Sequence, residues 1–399
     1  MKKDTTPRPM LLTQSSAGDF RDCRKLAELR YERRLRPNEE PFELSFGSNM
    51  HTGLEFLWSG KPLEEAVTAA TKKADTDQSV VLEALLTGYR NRWDPKDWKV
   101  VAVEKEFRLP LFDPATGQRH PYFDRGGKLD VVLRRKSTGR LWLMEHKSAA
   151  RVDASYLSKL WLDFQITYYV LCGEEIFGEE FEGVLYDVVI KPSRKEMQRF
   201  IGESDAEWEA RYEKAKNKKL LKRKMSETVE EFRTRMADFY ADPESFHREE
   251  ILLAREDIDL VAQEAWDLAE DWTRAKREGR WYRNTSRCFK WNKACAFLKV
   301  CQTREAPAVI EASFHRGDCA NPELSLTTFA PVLGYCRICN KALTLLDNHD
   351  FLCPACAAEV REGPGQGAGV DQLTTPLQPA TMHSTVATAA ADKDDWSFS

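Results

Sequence analysis

Three charged side chains lie in a stretch that otherwise has the pattern of a buried sheet. Asp130 lies in an alternating, β-branched run over residues 128–134, and Glu145 and Lys147 lie in the apolar run that follows the turn at residues 137–139. Residues two apart in a strand point to one face, so Glu145 and Lys147 share a face that Asp130 can reach from the neighbouring strand. Two carboxylates with an ammonium beside them predict an oxygen-ligand site for Mg²⁺ or Mn²⁺.

A helix is predicted next, and Gln165 and Tyr169 share one of its faces because they are four residues apart. The order Gly-x-x-Asp ending at Asp130, Glu-x-Lys at 145–147 and Gln-x-x-x-Tyr at 165–169 resembles the PD-(D/E)xK nucleases, and in particular their RecB-type exonuclease branch. The proline that gives the superfamily its first letter is absent before the aspartate, as is common in this branch. The resemblance implies an α/β, restriction-endonuclease-like core, a central mixed sheet flanked by helices, with helical insertions.

The resemblance also implies a role for each residue of the motifs. Asp130 and Glu145 would bind Mg²⁺ or Mn²⁺. Lys147 would hold the nucleophile and offset the charge that develops on the phosphate. Gln165 and Tyr169 would orient the DNA strand or the attacking water.

A histidine upstream completes the expected metal shell. Gly47 and His51 fit the family's Gly-x-x-x-His-x-x-Leu helix, which brings a histidine to the catalytic metal. A lone histidine is more often structural or exposed than a ligand, and that alternative stays open from the residues alone.

Three cysteines follow the predicted nuclease core, and three soft ligands make an incomplete tetrahedral site. One N-terminal cysteine plus three after the core resembles the iron–sulfur nucleases, including AddB-type enzymes and the CRISPR adaptation nucleases. That resemblance implies a four-iron four-sulfur (4Fe-4S) cluster that joins the start of the chain to the end of the nuclease domain. Its ligands would be Cys23, Cys288, Cys295 and Cys301. Spacing alone does not choose iron–sulfur over zinc, and three ordinary buried cysteines remain the alternative.

Four further cysteines form two Cys-x-x-Cys pairs, Cys336 with Cys339 and Cys353 with Cys356. Two such pairs joined by a short span predict a zinc ribbon, since four thiolates suit a closed, tetrahedral, structural Zn²⁺ site.

Composition sets the domain boundaries and the compartment. We expect a flexible leader at 1–18, the nuclease domain at 19–305, a linker at 306–330, the zinc ribbon at 331–360 and a disordered tail at 361–399. The first residues lack an apolar segment and no long apolar run follows, so the sequence predicts no membrane span and a cytoplasmic protein of a bacterial or phage-infected cell.

Coarse patterning adds the remaining elements. Residues 62–95 are predicted as two helices, 98–112 and 181–192 as strands, and 193–280 as largely helical. The net charge of −4 excludes a globally basic protein, so DNA contacts must use local patches such as the run at 214–224. A second basic patch, in the N-terminal helix, comprises Arg30, Arg33, Arg34 and Arg36. Solvated surface is the alternative for both patches.

These features together predict a metal-dependent DNA nuclease, and the branch resemblance favours an exonuclease of recombination, repair or phage DNA processing. The substrate would be single-stranded DNA or duplex ends. A helicase, an annealing protein or a recombinase would be the protein partner, since no Walker A motif provides a motor in this chain. Two alternatives stay open: a non-catalytic nucleic-acid-binding protein that reads through the zinc ribbon, and a sequence-specific endonuclease.

Overall fold

A computed structural model describes residues 9–39, 42–215, 218, 221–290 and 293–317, and the backbone of 334–335 and 342–343. The strands are β1 Met10–Leu12, β2 Leu35–Pro37, β3 Trp98–Phe112, β4 Arg119–Arg135, β5 Leu141–Ala149, β6 Phe181–Ile190, β7 Phe246–Ile251, β8 Phe289–Lys290, β9 Lys293–Ala294, β10 Phe314–Arg316, β11 Gly334–Tyr335 and β12 Ala342–Leu343. The α-helices are α1 Gln14–Asp22, α2 Arg24–Ala27, α3 Phe42–Trp58, α4 Leu63–Thr71, α5 Thr76–Arg92, α6 Ala154–Leu160, α7 Phe164–Phe177, α8 Asp205–Lys214, α9 Val229–Ala241, α10 Arg255–Glu278, α11 Leu298–Gln302 and α12 Pro307–Ser313.

Six strands form the central sheet, in the order β1-β4-β5-β6-β7 with β3 also paired to β4. The pairs β1–β4 and β5–β6 are parallel, whereas β3–β4, β4–β5 and β6–β7 are antiparallel. The predicted central mixed sheet is therefore confirmed. Its middle strands, β4 and β5, carry the carboxylates of the motifs, so the candidate site lies at the centre of the sheet.

Helices cover both faces of this sheet, and alternate residues of β5 feed the two cores. Leu141 and Leu143 pack with α1, α7 and α10, whereas Trp142 and Met144 pack with α3, α5 and α9. This alternation follows from the period of two in a strand and explains why the whole run is apolar. No helix in the described part of the chain is long and apolar enough to span a bilayer.

The region predicted as largely helical, 193–280, contains α8, α9 and α10 but also the strand β7. That prediction was wrong for 246–251, because four polar residues in the middle of β7 hide the strand pattern. β7 pairs with β6 on one side and ends the sheet, and edge strands commonly carry charged side chains.

Both ends of the domain extend further than the sequence indicated. Residues 10–12 form β1 and residues 14–22 form α1, and Leu12 and Ala17 are fully buried, so the predicted leader is wrong from residue 10 onward. Residues 307–316 form α12 and β10, and β10 pairs with β2, so this part of the predicted linker belongs to the domain. A strand of three residues is too short to show a periodic pattern in the sequence. The hydrogen bonds that define β1 and β10 as strands come from distant segments.

Candidate active site

Asp130 is held at the junction of β4 and β5. Its side chain is buried, and its Oδ2 accepts a hydrogen bond of 2.8 Å from the backbone N–H of His146 on β5. His51 approaches from α3, with its Nδ1 3.6 Å from the same oxygen. The strand pairing therefore fixes this carboxylate, and the helix brings the predicted histidine to it.

Glu145 meets Lys147, on the same strand, and Gln165, on α7. Its Oε1 accepts hydrogen bonds of 2.5 Å from Lys147 Nζ and of 2.5 Å from Gln165 Nε2. Asp163 caps the start of α7, which places Gln165 in the first turn of that helix. The other oxygen of Glu145, Oε2, is buried and has no hydrogen-bond partner among the described residues. One oxygen is thus fixed by the protein, and the other is left for a ligand.

Tyr169 lies one turn further along α7 and packs into the core. Its ring meets Phe107 edge to face at 6.0 Å. A Cβ built on Gly127 would come within 2.9 Å of the Tyr169 ring and 2.7 Å of Phe107, so only glycine fits under these two rings. The motif glycine therefore permits the packing of α7 on β4.

Glu104 on β3 is a site residue that the sequence reasoning missed. One ligand atom each of His51, Glu104 and Asp130 lies within 4.8 Å of the others. The register of β3 on either side of Glu104 sets it opposite Asp130, and Glu104 forms an ion pair with Lys128.

The backbone of Glu104 has φ +48, in the left-handed region that residues other than glycine rarely occupy. Such conformations cost about 1–3 kcal/mol and occur often at functional sites. No local pattern indicated that Glu104 is a site residue, because it belongs to a run of three charged residues that is equally typical of an exposed strand.

Burial is the largest cause of the pKa shifts of three groups in the site, Glu145, Glu104 and His51. Burial, and then the charge of Asp130, raise the pKa of Glu145 to about 8, although Lys147 acts in the opposite direction. Burial raises the pKa of Glu104 to about 7 despite its bond to Lys128. Burial lowers the pKa of His51 to about 4 and outweighs the nearby Asp130.

These pKa shifts fit a site for a divalent cation. A neutral imidazole is the form that binds metal, and crowded carboxylates become favourable when a cation offsets their charge. Carboxylate oxygens, including the unpartnered oxygen of Glu145, with one histidine nitrogen form a donor set suited to Mg²⁺ or Mn²⁺.

The structure brings all four predicted cluster cysteines to one small cavity, lined by Cys23, Cys288, Cys295 and Cys301. Cys23 lies between α1 and α2, and the backbone N–H of Asn284 points at its sulfur at 3.4 Å. Burial raises the pKa values of Cys295 and Cys301, and the neighbouring cysteines raise them further.

Ion pairs tie the same two chain segments together. Asp22 accepts from Arg287 at 2.8 Å and from Lys290 at 2.9 Å, and Lys25 pairs with Glu305. The N-terminal helices therefore pack against the segment that carries the three late cysteines.

The zinc-ribbon cysteines lie outside the described residues: Cys336, Cys339, Cys353 and Cys356. Within that segment the structure describes only the antiparallel pairing of β11 with β12.

The predicted basic patches make contacts inside the domain. Arg30 pairs with Asp19 at 2.7 Å, and Arg33 pairs with Glu305. Part of the run at 214–224 lies outside the described residues, and its Arg223 pairs with Asp205 at 2.5 Å. Arg30, Arg33 and Arg223 are thus partly neutralised by carboxylates.

A mixed sheet with an aspartate, a glutamate and a lysine on adjacent strands, and a helix glutamine bound to the glutamate, defines the metal-dependent nuclease class of α/β proteins. The model of the PD-(D/E)XK nuclease superfamily matches residues 11–302, and the chain belongs to that superfamily. Membership implies nuclease activity on DNA with divalent metals.

No curated protein matches the chain. One similar solved structure is titled "Crystal structure of SSO0001"; it is 12% identical and aligns with a TM-score of 0.23 over 57% of this chain and 73% of that chain.

Proposed function

We propose that the protein is a DNA exonuclease of the RecB-type branch that acts in recombination, repair or the processing of phage DNA. The observation that carries the proposal is the convergence of Asp130, Glu145 and Lys147, with one oxygen of Glu145 that has no hydrogen-bond partner in the described part of the chain. A buried carboxylate oxygen without a partner is costly unless a cation or proton satisfies it.

Asp130 and Glu145 would hold Mg²⁺ or Mn²⁺, with His51 completing the shell. Glu104 is a further candidate ligand, because it shares the 4.8 Å group with His51 and Asp130. The bound cation supplies Lewis acidity toward the phosphate and lowers the pKa of a water.

The surrounding side chains have positioning and electrostatic roles. Lys147 stands against Glu145 at 2.5 Å, where its ammonium would orient the attacking water and offset charge on the phosphate. Gln165 holds Glu145 from α7, so its role is to fix the ligand's orientation. Tyr169 supports the helix by its packing against Phe107, next to Gly127.

Phosphate contacts would dominate DNA binding, so cleavage should depend strongly on salt and little on sequence. We propose that DNA ends, single-stranded or duplex, are the substrate, and that a helicase, an annealing protein or a recombinase supplies them.

We also propose that Cys23, Cys288, Cys295 and Cys301 bind a 4Fe-4S cluster. The convergence of these four side chains on one small cavity supports a shared site, and the resemblance to the iron–sulfur nucleases favours the cluster. The four later cysteines, in residues 331–360, are the proposed zinc site.

The test is degradation of end-labelled linear and circular DNA by the purified full chain with Mg²⁺ or Mn²⁺. Asp130→Ala, Glu145→Ala and Lys147→Ala should each lower the rate at least ~100-fold, whereas Lys73→Ala, at an exposed position after α4, should not. Wild-type rates in two of the three site variants would refute the site assignment. Cleavage of circular DNA would make the enzyme an endonuclease, and DNA binding without cleavage would make it a binding protein.

A further inference from the structure

Two clefts open to solvent meet at Trp93, just beyond the end of α5. The first, of about 510 Å³, lies between the ends of α3 and α5, and the second, of about 420 Å³, reaches the segment that follows β5. Arg92 and Trp93 line both clefts. We call the two together the Trp93 cleft.

The Trp93 cleft is lined by an excess of positive charge. Its cationic residues are Lys61, Arg90, Arg92, Arg151 and Arg248, and its acidic residues are Asp94 and Glu244. Within the described part of the chain, Lys61, Arg90 and Arg92 are exposed and form no ion pair. Arg151 and Arg248 pair with Asp153 and Asp187. The unpaired positive charge is therefore that of Lys61, Arg90 and Arg92, and it would attract a polyanion to the cleft.

Trp93 provides an aromatic platform within this charge. The Arg92 guanidinium lies 4.3 Å from the centre of the Trp93 ring, and that of Arg248 lies 4.0 Å from it. The indole Nε1 is buried and has no hydrogen-bond partner among the described residues. Arg92 is exposed. A nucleotide base can therefore stack on its guanidinium, or displace the guanidinium and stack on the Trp93 ring.

Two aromatic residues that line the first cleft lie next to His146, which adjoins the candidate active site. Trp58 and Tyr89 line the first cleft, and their rings lie 6.5 and 6.2 Å from the ring of His146. The backbone N–H of His146 holds Asp130, and the His146 ring lies 6.2 Å from that of His51. The second cleft is lined by residues 150–152, directly after the strand that carries Glu145 and Lys147. A strand lying in the cleft is therefore close to the site.

We propose that the Trp93 cleft binds single-stranded DNA and leads it to the carboxylates. The proposal rests on the proposed nuclease function, which it deepens by naming the form of the substrate. A single strand suits the cleft because it offers base faces for stacking together with phosphates for the arginines, whereas a duplex hides its base faces.

The test measures binding without hydrolysis. Fluorescence anisotropy of labelled oligothymidylate and of a blunt duplex is titrated with the full chain in EDTA. Trp93→Ala should weaken single-strand binding at least about fivefold, since stacking on one aromatic residue is worth about 1–3 kcal/mol per base. The combined variant Arg90→Ala with Arg92→Ala should lower the salt slope by about 1.4, at about 0.7 per phosphate contact of a single strand. Arg277→Ala, an exposed arginine at the end of α10, is the matched control.

Duplex binding should change less than single-strand binding in every cleft variant. If the cleft variants bind the oligonucleotide like wild type, or weaken both DNA forms equally, the proposal is overturned. If Trp93→Ala fails to fold, the exposed arginine pair decides the question. A chain that binds single strands through the cleft but cleaves no DNA would refute the nuclease proposal and leave the cleft standing.

Discussion

Replacing Glu145 by glutamine should stabilise the metal-free protein at high pH while it removes metal binding. Glu145 is almost fully buried, and burial together with Asp130 raises its pKa to about 8. The amide oxygen of glutamine can still accept from Lys147 and Gln165, so Glu145→Gln removes the charge and keeps the shape. Glu145, which the proposed function requires, would then lower the stability of the metal-free fold.

The magnitude follows from the difference in pKa between the folded and unfolded states. Between an ordinary pKa of 4.5 and the folded pKa of about 8, the unfolded chain loses the Glu145 proton while the folded chain keeps it. The free energy of unfolding therefore falls as pH rises through this window, at about 1.4 kcal/mol per unit and by roughly 5 kcal/mol in total. The pKa of about 8 already includes the attraction of Lys147, and Glu145→Gln does not titrate in this window. We therefore expect the variant to be more stable than wild type by up to about 5 kcal/mol above pH 8, with little difference near pH 5.

Urea unfolding in EDTA, near pH 5 and near pH 8.5, measures the free energy of unfolding of wild type and Glu145→Gln at each pH. Glu209→Gln, at an exposed position, serves as the control. Added Mn²⁺ should stabilise the wild type at the higher pH and Glu145→Gln much less, because a ligand that binds only the folded state stabilises it. A variant less stable than wild type near pH 8.5 in EDTA would show that the charge of Glu145 carries no net cost. Equal stabilisation of both proteins by Mn²⁺ would exclude Glu145 as a ligand.

Three further outcomes are expected. Protein purified without oxygen should be brown, and Cys23→Ser should remove the visible absorption and lower the unfolding temperature, because a long-range link between chain segments is lost; a colourless wild type without iron contradicts this. Asp187→Asn should cost about 3–5 kcal/mol in urea unfolding, because it leaves Arg248 and His146 without their buried carboxylate; a loss below about 1 kcal/mol contradicts it. Residues 331–360 should bind one Zn²⁺ by elemental analysis, and chelation should unfold that segment alone; only trace zinc contradicts it.

The sequence by itself determined the part of the site that depends on local periodicity. Glu145 and Lys147 share a face because residues two apart in a strand always do, and the structure joins them at 2.5 Å. The choice of Gln165 and the grouping of Cys23 with the late cysteines came from the family resemblance. The structure places Gln165 at the start of α7 and Cys23 beside those cysteines. The mixed sheet followed from a resemblance carried by these same residues.

Tertiary structure alone decided the features that depend on pairing between distant segments. Glu104 reaches the site because the register of β3 on β4 sets it opposite Asp130 and because its own backbone is left-handed. A run of charged residues predicts neither the register nor the backbone conformation. β1 and β7 are strands because the edges of the sheet offer them hydrogen bonds, against weak or misleading local patterns. The clefts around Trp93 exist because α3, α5 and the segment after β5 converge there. Such long-range contacts are fixed by the packing of the whole chain, which no short window of sequence contains.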